Sequence, residues 1–260
     1  MWKMVYASVQ GTSHARNGQL CQDCSFACTS RPASETFLVI ACADGAGCAS
    51  HSQLGASLAC ERITRLVFDS LQSGLEPTCI DLSILQRWIA ETRSALNAEA
   101  LNQGLSTRDF ACTLLLAIIG EAVAVFAQIG DGAIVIDNGS VYGPVFWPQS
   151  GEYANVTFFL TDESVSDQLL FSRMECRIEE VAMFTDGLQM LALDYAKRAA
   201  HSPFFSPMFH QLCACPNPDE LFLPLRQFLD SKRVNERTDD DKSLVLATRR
   251  VRHEVPLPPV

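Results

Sequence analysis

The 260-residue sequence predicts an α+β fold with helices packed on antiparallel sheet, and three observations predict it. The apolar segments come as strands, then two long helices, then strands in quick succession, then helices and a closing strand. Such segregation opposes the regular strand–helix alternation of a parallel sheet. Consecutive strands are joined by Gly120-Glu121 and followed by Asn138-Gly139, and only antiparallel neighbours can use turns this short. No G-x-x-x-x-G-K-[ST] loop and no G-x-G-x-x-G after a strand is present, so the nucleotide-binding α/β folds lack their phosphate loop.

Taken in order, Val5–Gly11 and Ser25–Thr29 read as short strands around a loop, Thr12–Asp23. Phe37–Ala43 is a run of β-branched, aromatic and small apolar residues, the pattern of a buried strand. Gln53–Leu71 has helical spacing, with Leu54, Leu58, Ile63, Leu66 and Val67 on one stripe. Glu76–Asp81, with Pro77, is a linker, and Leu82–Asn102 is a second long helix ended near Gly104. Strands follow at Cys112–Ile119, Ala122–Ile129 and Ala133–Asp137, then at Val141–Phe146, Val156–Leu160 and Arg177–Thr185. Leu188–Ala200 and Pro218–Leu229 read as helical, and Ser243–Thr248 as the closing strand. Residues 1–250 are expected to form one domain, with 251–260 a Pro-rich tail.

A hydrophobic content of 48% over this length is enough for a sizeable core. The net charge of −10 and pI near 4.9 oppose a nucleic-acid binder, which needs clustered Lys and Arg. No apolar run approaches the ~18–20 residues of a membrane helix, and the first ten residues lack the features of a signal peptide. A cytoplasmic protein with no membrane or nucleic-acid partner is expected. The eleven cysteines are odd in number and many lie in apolar runs, so they read as reduced core thiols. Cys21, Cys24 and Cys28, and the pair Cys213 and Cys215, are closely spaced, but neither set is a four-ligand zinc site.

The chemistry lies in acids at the ends of apolar runs. Asp44 follows FLVIACA, Asp131 sits between VAVFAQI and AIVI, Asp186 separates EEVAMF from LQML, and Asp240 precedes KSLVLA. Asp23, in LCQDCSF, precedes another short run. Repeated delivery of carboxylates to strand ends implies one shared site. Two carboxylates about 4 Å apart repel by roughly 4 kcal/mol at an effective dielectric near 20. Hard divalent cations remove that cost, and an oxygen-only ligand set points to Mg²⁺ or Mn²⁺. Asp44-Gly45 is the best bridging ligand, since a carboxylate has two oxygens and glycine allows its carbonyl close to a metal. Asp186 and Asp240 would complete one ion's shell. Two such ions about 3.5–4 Å apart activate a bridging water and clamp a phosphoryl group, which is phosphoester hydrolysis.

In this order the motifs resemble the metal-dependent (type 2C, PPM) protein serine/threonine phosphatases, in their bacterial branch. GTSHARNGQLCQDCSF, ADGAGCASHSQLGASLA, FACTLLLAII with IGDGAIVI, GEYANVTFFLT, MFTDGLQML and DDKSLVLA carry the resemblance, which runs from about Val5 to Arg249. It implies a central antiparallel β-sandwich flanked by pairs of helices, with the metal centre at one end. It implies Asp44, Asp186, Asp240 and the Gly45 carbonyl as ligands of two Mn²⁺ or Mg²⁺ ions. Asp131 falls at an additional ion, and Asp23 meets the centre directly or through water. The nucleophile would be a metal-bound water held by Asp44, and the substrate a phosphorylated protein, with a Ser/Thr kinase as a second partner.

Four positions depart from the family pattern, one of them Asp241, which stands where Asn is common and adds charge while leaving Asp240 in place. Ala46 stands where many members carry a His proposed to protonate the leaving group. Gln22 stands where an acid is usual. The phosphate-binding Arg falls near Gly18, leaving Arg16 and His14 as the nearest basic groups, with Arg16 favoured for its bidentate fork. A catalytically weak pseudophosphatase that binds a phosphoprotein or kinase is the alternative.

Overall fold

The structure is a computed structural model, and it describes residues 1–32, 35–137, 142–149 and 157–250. Its strands and helices run β1 (Lys3–Val9), α1 (Thr12–Arg16), β2 (Cys24–Ser30), β3 (Phe37–Ala43), α2 (Ser52–Gln72), α3 (Leu82–Asn102), β4 (Leu114–Ile119), β5 (Ala124–Ile129), β6 (Ala133–Asp137) and β7 (Tyr142–Pro144). They continue with α4 (Val165–Gln168), β8 (Leu170–Met174), β9 (Glu180–Phe184), α5 (Gln189–Ala192), β10 (Leu193–Asp194), β11 (Ala199–Ala200), α6 (Ser202–Ala214), α7 (Phe222–Leu229), α8 (Lys232–Asn235) and β12 (Lys242–Thr248).

Two five-stranded antiparallel sheets form, in the orders β1-β12-β9-β6-β7 and β2-β3-β4-β5-β8. They pack face to face, and residue parity shows it. In β3, Leu38, Ile40 and Cys42 join the core between the sheets, while Val39, Ala41 and Ala43 face α2 and α3. In β12, Val245 and Ala247 point into the sandwich, and Leu244 and Leu246 meet Phe205, Phe209 and Leu212 of α6 and Leu225 and Leu229 of α7. Both faces of each sheet are therefore buried, which is why these strands read as continuous apolar runs without alternation. The expected sandwich flanked by helix pairs is what forms.

Some elements differ from the sequence expectation. The loop Thr12–Asp23 holds the short helix α1. The helix expected over Leu188–Ala200 stops at Ala192, and β10 pairs with β11. There Asp194 Oδ1 accepts the Lys197 N–H at 3.1 Å, a side-chain turn that competes with helix propagation. Helix α6, hidden by Pro203 and Pro207, was not expected. Pro203 stands in its first turn, where an N–H has no partner anyway, and burial of Phe205, Phe209 and Leu212 offsets the bond lost at Pro207. Strand β8 was also not expected. Residues 157–160 form no strand; Leu160 N–H instead donates to the Cys112 carbonyl at 2.7 Å. Asn138-Gly139, Val141, Val156 and residues 251–260 lie outside the described residues.

Register then gathers the acidic turns. Cys24 pairs with Ala43, so Asp23 and Asp44 leave the same end of neighbouring strands. Phe184 pairs with both Ala133 and Leu244, which brings Asp131, Asp186 and Asp240 to that end of the other sheet.

Candidate metal centre

Asp44, Asp131 and Asp186 each offer a carboxylate oxygen to one point, the three atoms lying within 4.8 Å of one another. Among the described residues this is the one grouping of His, Cys, Asp or Glu with metal-binding geometry. These three, with Asp240, Gly45, Ser13 and His14, line a cleft of about 260 Å³.

The backbone around Asp44 is fixed by short extended pairing. Its N–H donates to Thr113 Oγ1 at 2.9 Å, and Thr113 N–H donates to its carbonyl at 2.8 Å. Ala46 N–H donates to the Ala111 carbonyl at 2.9 Å, so Gly45 opposes Cys112 and turns its own carbonyl away from that strand. Glycine is required at 45 by packing: a Cβ there would meet the Gln22 carbonyl and Ser52 Cβ, both at 2.8 Å. Gly187 is tighter still, since its Cβ would lie 2.0 Å from the Asp241 carbonyl oxygen. These glycines let five loops crowd one end of the sandwich.

Hydroxyls aim the acids. Thr157 donates to Asp131 Oδ2 at 2.7 Å, and Gln189 Nε2 donates to the Asp131 carbonyl at 2.5 Å. Thr185 donates to Asp23 Oδ2 at 2.7 Å and accepts the Ser243 N–H at 3.0 Å, tying Asp23 beneath the cleft to β12. The other oxygen of Asp23 and Gln22 Oε1 are buried without a protein partner, as expected beside a hydrated ion.

Burial pushes all four inner carboxyls up, and their mutual charge adds to it. Asp186 is raised to about 7 by burial and then by Asp131 and Asp240. Asp44 is raised well above the ordinary range by burial, then by Asp23 and Asp186. Asp23 is raised to about 8 by burial, partly offset by Thr185. Asp131 is raised by burial, against the opposing Thr157 bond. No Lys or Arg among the described residues pairs with Asp44, Asp131 or Asp186, and the nearby Lys242 ammonium goes to Asn235 Oδ1 at 2.8 Å. An oxygen-only, uncompensated cluster of this kind fits hard divalent cations.

The two basic candidates separate. His14 lines the cleft, its Nδ1 lying 2.8 Å from Asp241 Oδ2, a close contact off the line of a hydrogen bond. Arg16 is exposed on α1 and folds back, its Nε and Nη2 donating to Thr12 O at 3.1 Å and Thr12 Oγ1 at 3.2 Å. Thr157, Thr185 and the inward-facing role of Asp241 escaped sequence reasoning. A threonine at a strand end carries no signal of its own, whereas Asp241 was visible as an acid without its role.

Comparison with known proteins follows the same lines. A family model described as "Protein phosphatase 2C" matches residues 10–230. Serine/threonine-protein phosphatase 3 of Escherichia coli (strain K12) is 40% identical over 249 residues, covering 95% of this chain and 98% of the relative. Among solved structures, a bacterial serine phosphatase has TM-score 0.61 at 13% identity, over 97% of this chain and 100% of that one. PppA, a key regulatory component of T6SS in Pseudomonas aeruginosa, has TM-score 0.61 at 16% identity over 95% and 97%. Stp1 from Staphylococcus aureus has TM-score 0.60 at 12% identity over 96% of each chain. At these identities the solved structures are similar to this chain in fold alone.

Proposed function

The chain belongs to the protein phosphatase 2C family of metal-dependent protein phosphatases, and on that premise we propose that it hydrolyses phosphoserine and phosphothreonine in proteins. The observation that carries this reading is the half-buried Asp44–Asp131–Asp186 cluster, which has no Lys or Arg partner among the described residues. Asp44, Asp186, Asp240 and the Gly45 carbonyl would hold two Mg²⁺ or Mn²⁺ ions, Asp131 a further one, and Asp23 would act from below. Ions bound there supply Lewis acidity that makes water nucleophilic and neutralises phosphoryl charge. The chain itself provides the rest. Thr157 and Thr185 hold the carboxylates in place. With Nδ1 against Asp241, His14 has Nε2 left to meet a phosphate oxygen or to hand a proton to the leaving oxygen. Ala46, Ala49, Ala111 and Phe159 form an apolar cluster at the Asp44 loop, which offers no proton of its own.

We place the protein in the cytoplasm, opposite a Ser/Thr kinase, and take residues 1–250 as one domain; no helix among the described residues is long and apolar enough to cross a membrane. The test is turnover of phosphoserine and phosphothreonine peptides with Mn²⁺, with EDTA and after restoring the metal. Activity that appears only with metal supports the proposal. Undiminished activity in EDTA overturns it, and tight phosphopeptide binding without turnover would make the chain a binding module.

A further inference from the structure

Beside the acidic cleft stands a feature that metal chemistry does not use. The Trp147 ring meets the Tyr195 ring edge-on with centroids 5.1 Å apart, and the Arg198 guanidinium carbon lies 5.3 Å from the Trp147 centroid. Both segments that carry these side chains are fastened to the Gly130–Asp131 turn. Gln149, two residues beyond Trp147, accepts the Gly130 N–H at 2.7 Å and donates to the Gln168 carbonyl at 2.8 Å. On the other side, Tyr195 OH donates to Gln189 Oε1, and Gln189 Nε2 donates to the Asp131 carbonyl. Two hydrogen bonds thus separate the Tyr195 hydroxyl from a residue of the candidate metal centre.

Arg198 is unusual in two independent ways. Among the described residues it is the one non-glycine residue with positive φ, at +50°, a conformation in which glycine would be favoured. It is also exposed and pairs with no described carboxylate, whereas its neighbour Lys197 meets Asp194 at 3.0 Å. A hairpin that keeps a side chain at a strained position, and stacks it over an indole, presents a preorganised cation. In a chain of net charge −10, with carboxylates lining the cleft, that cation is the local attraction for an acidic segment.

We propose that Trp147, Tyr195 and Arg198 form a substrate-docking subsite that selects phosphoproteins with acidic residues near the phosphorylated Ser or Thr. The inference rests on the phosphatase reading above. Arg198 pairs with the acidic side chain, and the two rings pack against the peptide's aliphatic atoms. The path from Asp131 runs through Gln189, Tyr195 and Trp147 to Arg198, so the acidic side chain that Arg198 meets lies a few residues from the phosphorylated one, extended peptide rising ~3.4 Å per residue.

The test uses the full chain with Mn²⁺ and two phosphoserine peptides that differ only at the third and fourth positions either side, Glu in one and Lys in the other. The wild type is expected to favour the Glu peptide by about tenfold in kcat/KM, mostly through KM. Arg198→Glu should reverse the preference, and Trp147→Ala should weaken it. Arg198→Gly removes the side chain while suiting the positive φ, so it folds and should abolish the preference. Thermal melts establish that each variant is folded. If the wild type hydrolyses neither peptide nor an aryl phosphate, the phosphatase reading fails. If it hydrolyses them and its Glu-to-Lys ratio is unity, or is unchanged in Arg198→Glu and Arg198→Gly, the docking inference fails alone.

Discussion

The buried carboxylate of Asp241 accepts the backbone N–H of Gln22 at 2.5 Å, joining residues 219 positions apart. Its other oxygen accepts the Gly11 N–H, also at 2.5 Å. Asp240 and Asp241 are neighbours with opposite tasks: Asp240 faces the cleft, and Asp241 turns inward to clamp both ends of the segment that carries His14. The clamp is therefore part of what positions Asp23 and His14, although it contributes no side chain to the three-carboxylate cluster.

Asp241→Asn should destabilise the protein by about 1–3 kcal/mol, because an amide NH₂ would then face a buried N–H donor. Denaturant unfolding of both proteins in EDTA measures it. An unchanged midpoint would show that the segment is held by other contacts.

Asp44→Asn should abolish turnover while leaving the metal-free fold no less stable, since it removes one of the charges that repel at the centre. Metal binding adds RT ln(1 + [L]/Kd) of native stability, about 2.7 kcal/mol at a hundredfold excess. The wild type should therefore melt higher in Mn²⁺ than in EDTA, and the mutant should show a much smaller gap. A full metal-induced shift in the mutant would reduce Asp44 to a turn residue.

Stability without metal should fall as pH rises. Asp186 and Asp23 are raised to about 7 and about 8 in the folded chain, against ~3.9 for an unfolded aspartate. Between those values the folded state binds more protons than the unfolded one, so the slope of unfolding free energy with pH is negative. This contribution is greatest below the unfolded value and is lost as pH passes through 7 and 8. Bound Mg²⁺ keeps the ligands ionised, which should flatten or reverse the trend. Melts from pH 5 to 8.5, in EDTA and in Mg²⁺, decide it; a melting temperature that climbs with pH in EDTA would contradict the electrostatics.

His14→Ala should cost about tenfold or more in kcat/KM for a phosphopeptide, and Arg16→Ala less than about threefold, because only His14 lines the cleft. Steady-state kinetics of both variants test this ordering. The reverse order would mean that Arg16 leaves Thr12 and swings to the phosphate.

Much of this protein could be read without coordinates, because local physics decides it. Phe37–Ala43, Leu82–Asn102 and Ala133–Asp137 begin and end where hydrophobic runs, the Glu76–Asp81 linker and the Gly turns place them. The acids at strand ends are equally local, since each turn fixes its own carboxylate at the tip of its own strand. Other features depend on partners far along the chain. Helix α6 forms despite Pro207 because the outer face of β12 and β9 must be covered, and the 193–200 hairpin replaces a helix where Asp194 captures a backbone N–H. The position of His14 in the cleft and of Arg16 outside it, the Asp241 clamp and the hydroxyls of Thr157 and Thr185 exist only because register brought loops from both sheets to one end. Sequence spacing carries the periodicity of a strand or helix; it carries no distance between Gly11 and Asp241, and that distance exists only once the sandwich has closed.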